Sequence, residues 1–192
     1  MVSKFDHCLV DLLYRRRIGT LKMDIAAVIS NHDTTREIVN REKIPFHHIP
    51  VTSDTKQDAE VKIRKIIADT GAELIILARY MQILSTDMAN SYPGQIINIH
   101  HSFLPSFKGA EPYSQAYHRG VKMIGATAHY VTPNLDEGPI IAQQVVPVRH
   151  DMSVQDMIGA GQEIEQSVMA KAIRAHTEHR ILLNEGKTVV FD

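Results

Sequence analysis

Asn98 and His100 close an apolar run, INIHH, and in extended backbone side chains two positions apart share a face. An amide that donates a hydrogen bond beside an imidazole that can carry a proton suits the polarising of a carbonyl. The amide steadies oxyanion charge and the imidazole supplies a proton or a positive charge. The alternative is a pair of strand-end polar residues that satisfy loop backbone. Further on, Asp136 and Glu137 lie in VTPNLDEGPII, between a Pro-Asn loop and a Gly-Pro turn. A carboxylate held in a tight loop can orient a water or fix a neighbouring imidazole. Taken alone, it reads more readily as a solvated turn residue.

Other chemistries find less support. There are eleven histidines, but His47-His48 and His100-His101 are adjacent pairs, whose members point to opposite faces of a strand. No H-E-x-x-H or C-x-x-C spacing occurs, so a metal reading rests only on His100, His129 and Asp136 converging in space. The phosphate loop G-x-x-x-x-G-K-[ST], the dinucleotide fingerprint G-x-G-x-x-G and the nucleophile elbow G-x-S-x-G are all missing. Cys8 sits in HCLVDLL among apolar residues and reads as a buried thiol. Carbonyl chemistry without a covalent intermediate gains from these absences.

The elements that must position these residues alternate along the chain. Apolar runs predict strands over residues 24–30 (DIAAVIS), 73–78 (ELIILA), 95–99 (QIINI), 123–131 and 140–148. ELIILA is apolar on both faces, as expected of a strand covered by helices on both sides. Helical patterns fall over residues 5–17 and 58–68. A long C-terminal helix opens at Ser153 as N-cap, with Val154, Met157, Ile158, Gly161, Ile164 and Val168 recurring at helical spacing. Gly19, Gly71, Gly120 and Gly186 fall where helices should stop. The pattern predicts an α/β fold: a doubly wound, mostly parallel sheet flanked by helices, Rossmann-like, with ligands bound beyond the carboxyl ends of the strands. Those ends are Ser30-Asn31-His32, Arg79-Tyr80-Met81, Asn98-Ile99-His100 and Tyr130 onward.

The chain has 192 residues, 44% of them hydrophobic, and a formal net charge of −1. One compact domain is expected over residues 1–192. Near-neutral charge leaves no electrostatic footprint for nucleic acid. No apolar run reaches the ~20 residues of a membrane span, and the N-terminus has no signal-peptide core. A lone cysteine excludes an intramolecular disulfide, and a cytoplasmic protein is expected. Only Met1 to Ser3 precede the first helical pattern, so the first strand is expected to be truncated.

Asn98-Ile99-His100, the following SFLPSFKG (residues 102–109) and Asp136 in LDEGPII resemble the folate-dependent formyltransferase family. Its hallmark is an Asn, a His two residues later and a distant Asp converging on a formyl group. FDHCLVDLL, AAVISNHD and RGVKMIGATAHYVTPNLDEGPII, together with the second histidine His101, resemble its hydrolytic branch, and the likeness covers essentially the whole chain. The resemblance implies hydrolysis of 10-formyltetrahydrofolate to formate and tetrahydrofolate, supplying purine synthesis and balancing the one-carbon pool. The alternative is transfer of the formyl group to an amine such as glycinamide ribonucleotide, against which stands the lack of a Gly-rich phosphate loop around SKFDHCL.

Asn98, His100 and Asp136 are the implied catalytic residues. Leu77, Met81, Gln82, Leu84, His129, Val131, Thr132 and Asn134 are implied to bind the substrate. No bound prosthetic group or metal is implied. The partner is a small folate rather than nucleic acid or membrane, and a homo-oligomer (dimer or tetramer) is expected. The pattern departs from the family at Gln82, Glu111 and Ser114, and nothing corresponds to the N-terminal regulatory domain usual in the hydrolytic branch.

Overall fold

A computed structural model of the chain describes residues 1–104 and 112–192. Pro105, Ser106, Phe107, Lys108 and Gly109 of the family-like loop, and Glu111 beyond it, lie outside the described residues. In chain order the elements are α1 (His7–Arg17), β1 (Val28–Ser30), α2 (Arg36–Arg41), β2 (Phe46–His48), α3 (Lys56–Thr70), β3 (Ile75–Leu77) and α4 (Thr86–Ser91). Then come β4 (Ile96–His100), α5 (Pro112–Arg119), β5 (Met123–Tyr130), β6 (Ile140–Pro147), α6 (Val154–Thr177), β7 (Ile181–Asn184) and β8 (Lys187–Val190).

β1 and β2 pair in parallel, and β3, β4, β5 and β6 lie side by side in that order. Met1 to Ser3 join the two groups. The Val2 amide donates to Ile29 on one side, while on the other Ala78 donates to Met1 and Ser3 donates to Arg79. β3 and β4 are parallel, but β5 runs antiparallel to both β4 and β6. The sheet is therefore mixed. Residues 131–139, which join β5 to β6, are too few for a parallel crossover, which takes roughly a dozen or more. Of residues 24–30, expected as one strand, only Val28–Ser30 pair in a ladder.

β3 and β4 bury both faces. Ile75, Leu77 and Ile96 pack with Ile63 and Ile67 of α3. Ile97 and Ile99 pack on the other side with Met157, Val168, Met169 and Ile173 of α6. Ser153 caps α6 as expected. Its hydroxyl accepts from the Asp156 amide at 3.2 Å, and the Asp156 carboxylate takes the Ser153 amide at 2.8 Å. Such a reciprocal cap is worth about 1 kcal/mol. Gly19, Gly71 and Gly120 follow helices with φ of 74°, 63° and 63°. Gly186 does not. With Glu185 it makes the two-residue turn between β7 and β8, both at positive φ (45° and 78°), as a tight hairpin requires. Among the described residues no helix is long and apolar enough to cross a membrane.

Candidate active site

The two-residue spacing has its expected effect in β4. Ile97 and Ile99 go to the core beneath α6, while Asn98 and His100 line a cleft of about 690 Å³ at the ends of β3, β4 and β5. Across the antiparallel ladder Asn98 pairs with His129 and His100 with Thr127. His129 is buried, and its Nδ1 lies 2.8 Å from the Tyr130 carbonyl oxygen. A carbonyl only accepts, so Nδ1 carries the proton and Nε2 accepts from the Asn98 amide nitrogen, 3.3 Å away. The second amide hydrogen of Asn98 remains for a ligand.

Thr127 is fully buried and organises the turn beyond β4. Its hydroxyl donates to the Ser102 carbonyl at 2.9 Å and accepts from the Leu104 amide at 3.1 Å and from the Gln143 side chain at 2.9 Å. The backbone after His100 is thereby fixed by β5 and β6.

Asp136 arrives on a loop folded back on the end of β5. The Tyr130 amide donates to Pro139 at 2.9 Å, and the Thr132 hydroxyl donates to the Asn134 carbonyl at 3.1 Å. Gly138 lies against β5 so closely that a Cβ there would sit 1.7 Å from the Tyr130 carbonyl oxygen. Asp136 itself adopts φ 56°, a left-handed conformation that Asp tolerates better than most residues. Its Oδ2 lies 3.3 Å from His100 Nδ1, and its Oδ1 lies 3.7 Å from His129 Nε2. The hydrogen bond from His100 holds this carboxyl well below the usual carboxylate range despite its partial burial. His100 is the closer partner, since His129 Nε2 is engaged by Asn98. His100 Nε2 is buried and has no partner among the described residues. On a cleft wall, such a nitrogen invites a ligand oxygen.

The three residues expected to do chemistry converge, and His129 joins them. The expected binding residues line the same cleft: Leu77, Met81, Gln82 and Leu84 from β3 and the segment after it, and Val131, Thr132 and Asn134 from the loop after β5. Met81 and Ile83 are 51% and 61% exposed, an apolar lip to the opening. Glu137 is exposed, as a solvated turn residue would be. Cys8 is buried, and burial pushes its thiol up.

Sequence reasoning missed a second layer. Glu165 of α6 is 1% exposed. Its Oε2 accepts from His7 Nε2 at 2.8 Å and lies 3.4 Å from Arg79 Nε, and its Oε1 accepts from the Tyr113 hydroxyl at 3.2 Å. Burial opposes its ionisation, yet His7 and the Arg79 charge outweigh burial and keep the carboxyl below its ordinary range. Arg79, at φ 61°, donates through Nη1 to His101 Nδ1 at 2.7 Å. The His101 ring stacks on His100, with centroids 5.0 Å apart and planes at 23°. His7, Cys8 and Glu165 stand at ligand-like distances from one another. The Arg79 guanidinium, with Nε 3.4 Å from Glu165 Oε2, already brings a cation to that carboxylate. The one signal available in the sequence was an acid at position 165 within the apolar stripe of 161, 164 and 168.

The sequence profile described as Formyl transferase matches residues 1–173. A formyltetrahydrofolate deformylase of Corynebacterium sp. (strain P-1) is 55% identical over 190 residues, which is 99% of this chain and 66% of that protein. The crystal structure of a formyltetrahydrofolate deformylase from Pseudomonas syringae pv. tomato superposes with a TM-score of 0.97 at 50% identity, covering 100% of this chain and 64% of that one. A glycinamide ribonucleotide transformylase from Symbiobacterium toebii superposes with a TM-score of 0.90 at 30% identity, covering 100% of this chain and 92% of the other. The chain thus spans just under two thirds of the length of these two deformylases.

Proposed function

The chain belongs to the formyl transferase family, and from that premise we propose that it hydrolyses 10-formyltetrahydrofolate to formate and tetrahydrofolate. The observation that carries this reading is the convergence of Asn98, His100 and Asp136 in one cleft, with the buried His100 Nε2 unpartnered among the described residues. The names of relatives at 50–55% identity support water as the acceptor.

In this reading the folate lies in the cleft between the segment after β3 and the loop after β5, against Leu77, Met81 and Leu84. The formyl oxygen accepts from the free Asn98 amide hydrogen and from Nε2 of protonated His100, whose Nδ1–H is held by Asp136. Water attacks the formyl carbon and gives one proton to the Asp136 carboxylate. As the tetrahedral carbon collapses, the C–N bond breaks and the folate nitrogen takes a proton from His100, leaving formic acid, which ionises to formate, while the proton on Asp136 passes back to His100. A carboxylate held so far below its usual range is a weak base, so Asp136 acts first by orienting water and His100 and takes the proton only as charge develops.

An amine in place of water would make the same site a transferase. The transformylase likeness, at 30% identity, keeps glycinamide ribonucleotide as the comparison acceptor. The test is quantitation of formate and tetrahydrofolate from 10-formyltetrahydrofolate alone, then with that amine added. Formate in equal amount to tetrahydrofolate without any amine, lost in Asp136→Ala, is the expected result. Product only when the amine is present would overturn it.

A further inference from the structure

His100 and His101 are two stacked imidazoles, and both cannot comfortably be cations at 5.0 Å. Which of them holds the proton is settled by their other neighbours. His100 Nδ1 faces a carboxylate, Asp136, at 3.3 Å. His101 Nδ1 faces a guanidinium, Arg79, at 2.7 Å. A guanidinium has no acceptor, so that nitrogen of His101 must present its lone pair, and the neutral ring carries its hydrogen on Nε2. Two neighbouring rings of the same chemical type therefore receive opposite instructions.

We propose that Arg79, backed by Glu165, is a positioning residue that keeps His101 neutral so that the proton of the stacked pair resides on His100. Among the described residues, the charged and titratable groups around His101 come from four elements besides its own: Arg79 after β3, Glu165 of α6, Asp136 of the loop after β5, and Tyr113 of α5, whose ring centroid lies 6.5 Å away. Burial and then Arg79 and His100 push His101 down to about 4, against the smaller pull of Glu165 and Asp136. Glu165 makes no hydrogen bond to His101. It holds the guanidinium, and α1 and α5 hold Glu165 through His7 and Tyr113. Arg79 keeps a left-handed backbone, at φ 61°, that non-glycine residues seldom adopt. The placement of the proton stands on the geometry alone, whereas its consequence for turnover rests on the hydrolase reading.

The experiment is an imidazole ¹⁵N NMR titration of the full chain, wild type and Arg79→Gln, beside pH profiles of formate release. Wild-type His101 should stay neutral, with the hydrogen on Nε2, down to about pH 5. In Arg79→Gln, His101 should gain its second proton at clearly higher pH than in wild type, though still below the ordinary ~6.5 because burial and His100 remain. Formate release by that variant should then fall about twofold or more further at pH 5.5 than at pH 8, mostly in kcat, and Arg79→Lys should recover much of it. Wild-type His101 titrating near 6.5 would overturn the proposal without any variant, which covers the case of Arg79→Gln failing to fold. A folded Arg79→Gln whose His101 titrates no higher than in wild type would overturn it as well. If wild type releases no formate, the hydrolase reading fails, and the titration still decides where the proton sits.

Discussion

Asn98 and His129 face each other across the β4–β5 ladder, with the amide nitrogen of one 3.3 Å from Nε2 of the other. A backbone register thus sets a side-chain hydrogen bond, and that bond turns the Asn98 amide so that one hydrogen is spent and the other is free.

Asn98→Ala should therefore lose an oxyanion donor and little else. Removing one such donor typically costs ~10²–10³ in kcat. Half-buried Asn98 carries no core packing, so the thermal midpoint should move by only a few degrees. Formate-release kinetics and a melting curve on one preparation check both halves. A loss of activity below tenfold would remove Asn98 from the chemistry.

Asp136→Asn should show its effect through pH. The native carboxyl lies well below its ordinary value because of the hydrogen bond from His100. A depressed acid stabilises the fold fully above its unfolded value of ~3.9 and loses that stabilisation as pH falls through the native value. Urea unfolding should therefore separate wild type from variant at pH 7 and bring them together in strong acid. Curves equally far apart at all pH would mean that the charge is irrelevant.

His101 gives the opposite kind of group in a window that is easier to reach. Its native value of about 4 lies below the ordinary ~6.5, so the fold favours the neutral ring. The stabilisation is complete above about pH 6.5 and is lost as pH falls towards 4. His101→Asn should flatten the stability profile across that window, measured as the difference in unfolding free energy from wild type.

Thr127→Val keeps the shape and removes the hydroxyl that binds Ser102, Leu104 and Gln143. Leaving such groups unpaired typically costs ~1–3 kcal/mol. The segment after His100 should loosen too, read as faster amide exchange at Leu104. Unchanged exchange there would show that the turn is held by something else.

Gly138→Ala places a Cβ 1.7 Å from a backbone oxygen, which no side-chain movement relieves. The loop has to shift and take Asp136 with it, so kcat should drop at least as far as in Asp136→Asn. Full activity would show that the approach of loop to β5 is dispensable.

Much of this site is legible in the sequence because strand parity is a strong constraint. With Ile97 and Ile99 committed to the core, Asn98 and His100 have only one face left. The Ser153 cap and the break at Gly71 are legible for equally local reasons. The antiparallel turn of β5 is not, because strand direction depends on how a connection runs rather than on composition. β2 (Phe46–His48) gives no strand signal because FHH is a half-exposed edge, not an apolar run. Gly186 reads wrongly as a helix stop because a glycine at positive φ ends helices and turns hairpins alike. Arg79 and Glu165 are 86 positions apart in the chain (165 − 79), and nothing short of the fold pairs them.

The pairing of β4 with β5 also decides what lengths this protein can tolerate. Because side chains alternate, losing or gaining one residue inside β4 would carry Asn98 and His100 under α6 and bring Ile97 and Ile99 into the cleft. The strand is intolerant of insertion and deletion in a way that no single substitution reveals. The exposed residues Pro133 to Leu135, ahead of Asp136, carry no such parity. Variation in length belongs there, where it would reshape the opening of the cleft without changing which atoms meet inside it.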